Sequence, residues 1–189
     1  MRRELTHIVV VDVEATCWRG EPPPGQRSEI IEVGVCRLDL KTLERRDKRS
    51  ILVRPALSEI SEFCTELTTL RAEDFAEAVD FATACEILRD EYDSPHQPWA
   101  SFGDYDRKQF DKDCEAKKVR RPFGPTHFNV KAMFAAATPL RRAAGMPAVL
   151  EALGLPLQGT HHRGHDDAWN IAAILASLLG ATRRGWTER

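Results

Sequence analysis

The sequence predicts a mixed α/β fold: a five-stranded sheet, three antiparallel strands followed by parallel ones, with helices packed against it. Three observations predict it. Strand patterns come first in a block, and strand and helix patterns then alternate. The opening strand carries Val9, Val10 and Val11, a β-branched run of the kind buried within a sheet.

That first strand spans residues 7–16 and ends in two acidic residues, Asp12 and Glu14. A loop rich in Pro22, Pro23, Pro24 and Gly25 separates it from a second apolar strand at 29–38. Residues 49–55 alternate and form a third strand closed by Pro55. Asp80 caps a helix that keeps Phe81, Ala84, Cys85, Leu88 and Tyr92 at helical spacing and ends before Pro95 and Pro98. Residues 99–103 form a fourth strand and 106–118 a charged amphipathic helix. Residues 127–130 form a fifth short strand running into Lys131, Ala132, Met133 and Phe134. Two helices close the chain, one over 144–153 ended by Gly154 and one over 166–179 ended by Gly180. There is no repeat, low-complexity tract or linker. A single domain over 1–182 is expected, with a basic tail over 183–189 that frays.

Hydrophobic residues make up 42% and charged residues 30% of the 189, the balance of a soluble globular domain. No run approaches the ~18 apolar residues of a membrane span. No signal peptide is expected, because the first strand begins at residue 7. Five cysteines without a CxxC pair suggest reduced thiols and a cytoplasmic location. A net charge of −2 excludes a globally basic nucleic-acid binder but not local basic patches.

The acidic residues carry the functional argument. Residues two apart on a strand share a face, so Asp12 and Glu14 point the same way from a buried strand. Two such carboxylates repel unless something positive compensates, and a divalent metal does so economically. Asp104 and Asp106 fall where the fourth strand passes into a helix, and each also fits a helix cap. His161, His162, His165, Asp166 and Asp167 crowd another loop entering a helix. If these clusters converge on one sheet edge, their oxygen donors suit Mg²⁺ or Mn²⁺, and a histidine beside them suits a general base. Residue chemistry alone therefore reaches metal-dependent hydrolysis of a phosphate ester.

Three stretches resemble a known family. Asp12-Val13-Glu14-Ala15-Thr16-Cys17, then Tyr105-Asp106 opening a helix, then His162 followed by Asp167 and Asn170, are similar to the three motifs of the DEDDh 3′–5′ exonucleases. The similarity is greatest to the subgroup holding the eukaryotic histone-mRNA and small-RNA-trimming exonuclease and its bacterial relatives. Glu29-Ile30-Ile31-Glu32 and Phe63-Cys64-Thr65-Glu66-Leu67-Thr68 extend it over nearly the whole chain. The resemblance implies a ribonuclease H-like fold and two Mg²⁺ or Mn²⁺ ions held by Asp12, Glu14, Asp106 and Asp167, with His162 as general base. It implies that Ala15 and Thr16 touch the terminal sugar and that Phe63 and Leu67 line a base pocket. The implied reaction removes nucleoside 5′-monophosphates from single-stranded 3′ ends of RNA or DNA, with no membrane involved. The eukaryotic members carry an extra N-terminal nucleic-acid-binding module. This sequence starts at the catalytic strand, so substrate identity is not expected to carry over, and no protein partner is implied.

Other readings attach to the same residues. Hydrolysis of dinucleotides or short oligonucleotides would use the same site, and a non-catalytic nucleic-acid-binding module would keep the fold alone. His161, His162 and His165 could instead form a zinc or iron site, although local hydrogen bonding explains His161 and His165 more simply. Trp18 could stack on a base, whereas Trp169 fits core packing. The basic run from Lys117 to Arg121 fits a solvated helix end.

Overall fold

The computed structural model describes residues 4–138 and 145–187. The strands are β1 (His7–Ala15), β2 (Ile30–Asp39), β3 (Arg45–Leu52), β4 (Trp99–Ser101) and β5 (His127–Asn129). The helices are α1 (Glu62–Thr68), α2 (Phe81–Tyr92), α3 (Tyr105–Lys117), α4 (Val130–Ala137), α5 (Met146–Ala152) and α6 (Gly164–Thr187), with a 3₁₀ turn at Ala72–Phe75. The sheet order is β3-β2-β1-β4-β5. β1 pairs antiparallel with β2, and β2 with β3, while β1–β4 and β4–β5 are parallel. This is the predicted mixed sheet, with the valine strand near its centre.

The strand period sorts β1 into two cores. Val9, Val11 and Val13 pack with Phe81, Leu88 and Phe110, which come from α2 and α3. Ile8 and Val10 pack with Val149, Leu150, Ile171 and Leu175, which come from α5 and α6. Asp12 and Glu14 continue the second set, so β1 aims both carboxylates at the face covered by α6.

Three elements differ from expectation. β3 begins at Arg45 rather than 49, because residues 45–48 are polar and give no apolar signal, yet Arg45 and Arg46 pair with Leu38 and Arg37 of β2 along the sheet edge, across a register irregularity. α6 runs through Gly180 to Thr187, so residues 183–187 are helix, and the expected boundary at 182 falls inside it. An interior glycine costs only about 1 kcal/mol relative to alanine, and beyond it the exposed turns are tied back by Arg183, which donates to Leu40 O at 2.6 Å. α1 and the 3₁₀ turn are too short for periodicity to reveal; Ser61 caps α1 by accepting from Cys64 N at 3.0 Å. The expected start of the α5 helix at Ala144 lies outside the described residues. Among the described residues no helix is long and apolar enough to cross a membrane.

One close approach fixes where α6 meets the sheet. A Cβ added at Gly34 on β2 would lie 1.8 Å from the carbonyl carbon of Gly164. The two backbones touch there, and only glycine permits it. Gly34→Ala is expected to lower stability by about 3 kcal/mol or more, a drop of roughly 6–12 °C in thermal midpoint for a domain of this size. A thermal denaturation curve that matches the parent would refute the contact.

Candidate active site

The site forms where β1 ends between the first turns of α3 and α6. Asp106, in the first turn of α3, is 3% exposed. Its Oδ1 accepts from Val13 N at 2.9 Å, which ties α3 to β1 between Asp12 and Glu14. Asp104 faces away and pairs with exposed Arg107 at 3.2 Å. Asp167, in the first turn of α6, is also 3% exposed. It accepts from His161 Nδ1 and from the His162 backbone N–H, both at 2.9 Å. Asp166 points the other way, to Lys48 and to Thr160 N at 2.8 Å. Gly159, at φ +79°, sits where any Cβ would strike that Asp166 carboxylate, 2.2 Å away.

Donor atoms of Asp12, Glu14 and Asp167 lie within 4.8 Å of one another. Asp106 joins them as a wall of the same cleft, of about 370 Å³, together with Ala15, Leu67 and His162. His162 holds a left-handed backbone at φ +65°, a sparsely populated state for a non-glycine residue that is common at functional sites.

The remaining expected residues divide. Ala15 and Leu67 line the cleft. Thr16 is fully buried away from it, its hydroxyl donating to Arg27 O and accepting from Glu29 N, both at 3.0 Å. Phe63 is not a cleft residue either; the Arg19 guanidinium lies 5.2 Å over its ring. The three-histidine metal site is not assembled, because His165 Nδ1 bonds Glu32 at 2.9 Å. His161 and His162 do fall within 4.8 Å of Asp167, with His161 Nδ1 bonded to that carboxylate at 2.9 Å and the two rings stacked at 4.0 Å and 23°. Trp169 is packing, as expected: Arg45 lies 4.5 Å over its ring and its Nε1 donates to Gln158 at 2.8 Å. Trp18 is half-buried and does not line the cleft. Lys117 pairs with buried Glu29 and Asp113 instead of facing solvent. Phe102, Tyr105, Met146 and Lys131 do line the cleft. Only Tyr105 carried a sequence signal, as the aromatic before Asp106; Lys131 and Met146 arrive from distant helices.

The electrostatics leave the carboxylates short of positive charge. Burial, then the charges of Asp106, Glu14, Asp167 and Glu32, pushes the Asp12 carboxyl well above the usual range. Burial, then Asp167, Glu32 and Asp106, pushes Glu14 up to about 9. Burial raises Asp106 to about 6 and also lifts Asp167, which the His161 and His162 contacts partly hold down. Carboxylates this close and this dry either keep protons or share positive charge, and an all-oxygen set suits Mg²⁺ or Mn²⁺. The residues present therefore fit divalent metal.

A pH prediction follows from the sign. Glu14 ionises near pH 4.5 when unfolded but only near 9 when folded. Between those values the native state binds the extra proton, so the metal-free protein loses stability as pH rises through that window. A divalent metal bound there would replace the protons, so its affinity and its stabilisation should grow over the same window. Mn²⁺ at 100 times its Kd should add ~2.7 kcal/mol, roughly 5–10 °C in thermal midpoint. The shift at a fixed, subsaturating Mn²⁺ concentration should be larger at pH 8 than at pH 6. Equal shifts at both would contradict the frustrated-carboxylate account.

A mixed sheet with carboxylates from β1, α3 and α6 around one cleft is the architecture of a nuclease domain. The chain belongs to the exonuclease family, whose model (RNase T type) matches residues 9–175. It is 29% identical over 183 residues to human 3′-5′ exoribonuclease 1, covering 92% of this chain and 52% of that protein. It is 27% identical to the Drosophila melanogaster 3′-5′ exonuclease Snipper, covering 92% of this chain and 69% of that one. The chain thus spans about half the length of the human relative. Among solved structures it is similar to the nuclease domain of 3′hExo, a DEDDh family member bound to rAMP. That match has a TM-score of 0.83 at 27% identity and covers 94% of this chain and 93% of that domain. A structure of 3′-exonuclease recognising the histone mRNA stem-loop matches with a TM-score of 0.82 at 27% identity, over 93% of this chain and 64% of that one.

Proposed function

We propose that this chain is a 3′–5′ exonuclease that hydrolyses phosphodiester bonds at single-stranded 3′ ends, RNA foremost, and releases nucleoside 5′-monophosphates. The observation that carries the reading is the convergence of Asp12, Glu14, Asp106 and Asp167 on one cleft with His162 beside them. The relatives named exoribonucleases, and the similar domain bound to rAMP, favour RNA over DNA. Four free cysteines are buried and the fifth half-buried, which suits a reducing, cytoplasmic setting.

Asp12, Glu14, Asp106 and Asp167 would hold two Mg²⁺ or Mn²⁺ ions. When bound, such ions polarise the scissile phosphate and lower the pKa of the attacking water. The chain's own residues supply the rest. Burial, and then His161, hold the His162 imidazole below its ordinary pKa. It is therefore neutral at pH 7 and able to take a proton from water. Lys131 is the one cation among the described cleft-lining residues and can meet a phosphate oxygen. Ala15 leaves the end of β1 bare, so a sugar can approach the backbone, while Leu67 and Met146 offer apolar walls to a base. A cleft of about 370 Å³ accommodates about one nucleotide, which an unpaired end supplies at lower cost than a duplex.

The test is a panel of 5′-labelled single-stranded RNA and DNA, blunt duplex and dinucleotides with Mg²⁺ or Mn²⁺. The expected result is stepwise shortening of single-stranded RNA from its 3′ end with nucleoside 5′-monophosphate as product. Cleavage of dinucleotides alone would replace the reading with a short-oligonucleotide phosphodiesterase. Binding without cleavage would make the domain a non-catalytic module.

A further inference from the structure

Glu32 is a fifth acidic residue, beside the four of the site, fully buried, that the proposed chemistry does not use. It pairs directly with Glu14 across β1 and β2, so the two side chains share the α6 face of the sheet. Its carboxylate is saturated. Oε1 accepts from Ser50 Oγ at 2.6 Å and from His165 Nδ1 at 2.9 Å. Oε2 accepts from Gly164 N at 3.1 Å and from Arg163 Nε at 3.3 Å.

Three of those four partners are consecutive residues, 163–165. They are the segment between His162 and Asp167. The backbone there is pressed onto the sheet: a Cβ at Gly164 would lie 3.0 Å from Gly34 N, 3.1 Å from Asp12 O and 3.4 Å from Glu32 Cδ. Glu32 thus grips the start of α6 from below, where the exposed N–H groups of a helix favour a negative charge. The other fully buried carboxylate of β2's entry, Glu29, has different clients. It accepts from Leu57 N at 2.9 Å and Ser58 N at 2.8 Å and pairs with Lys117.

We infer that Glu32 is a positioning residue that fixes residues 162–167 so that His162 and Asp167 face the carboxylates of β1. The inference rests on the functional reading above. A glutamine in its place keeps the shape but turns one acceptor into a donor, which must then face a buried N–H, the guanidinium or a hydroxyl. A misplacement of about 1 Å in a reacting group can cost ~10²-fold in rate, and outer partners of metal ligands commonly matter 10–100-fold by mutation, as a rough range.

The experiment compares Glu32→Gln with Glu29→Gln, an equally buried carboxylate that does not touch the segment. Rates on single-stranded RNA give kcat and KM, and the electron paramagnetic resonance of free Mn²⁺ gives metal affinity. Glu32→Gln should lower kcat about 10–100-fold and weaken Mn²⁺ binding about 10-fold, with KM changed less than about 2-fold. Glu29→Gln should lower thermal stability and leave kcat and Mn²⁺ affinity of the folded protein unchanged. The inference is overturned if Glu32→Gln keeps the parent's kcat and Mn²⁺ affinity, or if Glu29→Gln loses both equally. Should Glu32→Gln fail to fold, Ser50→Ala and His165→Ala each remove one bond to Glu32, and unchanged kcat in both overturns it. If the parent itself degrades no nucleic acid, the functional reading fails, and the Mn²⁺ comparison still judges Glu32.

Discussion

Asp12→Asn is expected to abolish exonuclease activity, by about 10³-fold or more in kcat, equivalent to ~4 kcal/mol of barrier. The reason is position. Asp12 stands within reach of all the other acidic groups of the site, and its charge opposes those of Asp106, Glu14, Asp167 and Glu32. In the metal-free protein its carboxyl is raised well above the usual range, so asparagine imitates the form the protein already favours. The variant should fold, and should melt at or above the parent's temperature without metal. It should lose most of the stabilisation that Mn²⁺ gives the parent. This pairing of lost function with retained or increased stability is the mark of a site that holds repulsion for a purpose. Single-turnover rates with thermal melts, each with and without Mn²⁺, check it. An Asp12→Asn protein that is as active as the parent, or that gains as much from Mn²⁺, would remove Asp12 from the proposed metal set.

His162→Asn should lower kcat by about 10²–10⁴-fold while Mn²⁺ affinity changes little. Asparagine is chosen because it tolerates the left-handed backbone that His162 adopts at φ +65°. The backbone N–H of residue 162 would still donate to Asp167, so the ligand should stay in place. The prediction also settles a question of register. His161 and Asp166 have the same spacing as His162 and Asp167, and His161 is the imidazole that bonds Asp167 through its ring. If His162→Asn retains the parent's rate and His161→Asn loses it, the base is His161, one residue earlier, while Asp167 remains the carboxylate of the cleft.

Much of the fold was legible because it rests on short-range periodicity. Val9, Val10 and Val11 marked the buried strand, and the spacing of Phe81, Leu88 and Tyr92 marked α2 and its buried face. The elements that escaped were those without an apolar period. Arg45 and Arg46 join the sheet by backbone pairing, and Arg45 and Lys48 by polar contacts to Trp169 and Asp166, none of which has an apolar period; α1 is held by a single cap and its packing. The end of α6 differs for another reason: Gly180 is a local stop signal, yet the helix continues past it as exposed turns whose Arg183 donates to Leu40 O at 2.6 Å.

By itself the sequence determined the chemistry available: which carboxylates share a strand face, which open a helix, and which histidine stands at a spacing that resembles the family's. Those properties follow from covalent geometry and extend only a few residues. The tertiary structure alone decided what meets what. It turned Thr16 and Phe63 away from the cleft, brought Lys131 and Met146 into it, and sent His165 to Glu32 instead of to a shared ion. It also placed Glu32 under the start of α6, a contact between residues far apart in the chain. A side chain's face is set by its own backbone, but its partner is set by which buried surfaces close-pack and which buried charges find compensation, and no local pattern encodes that.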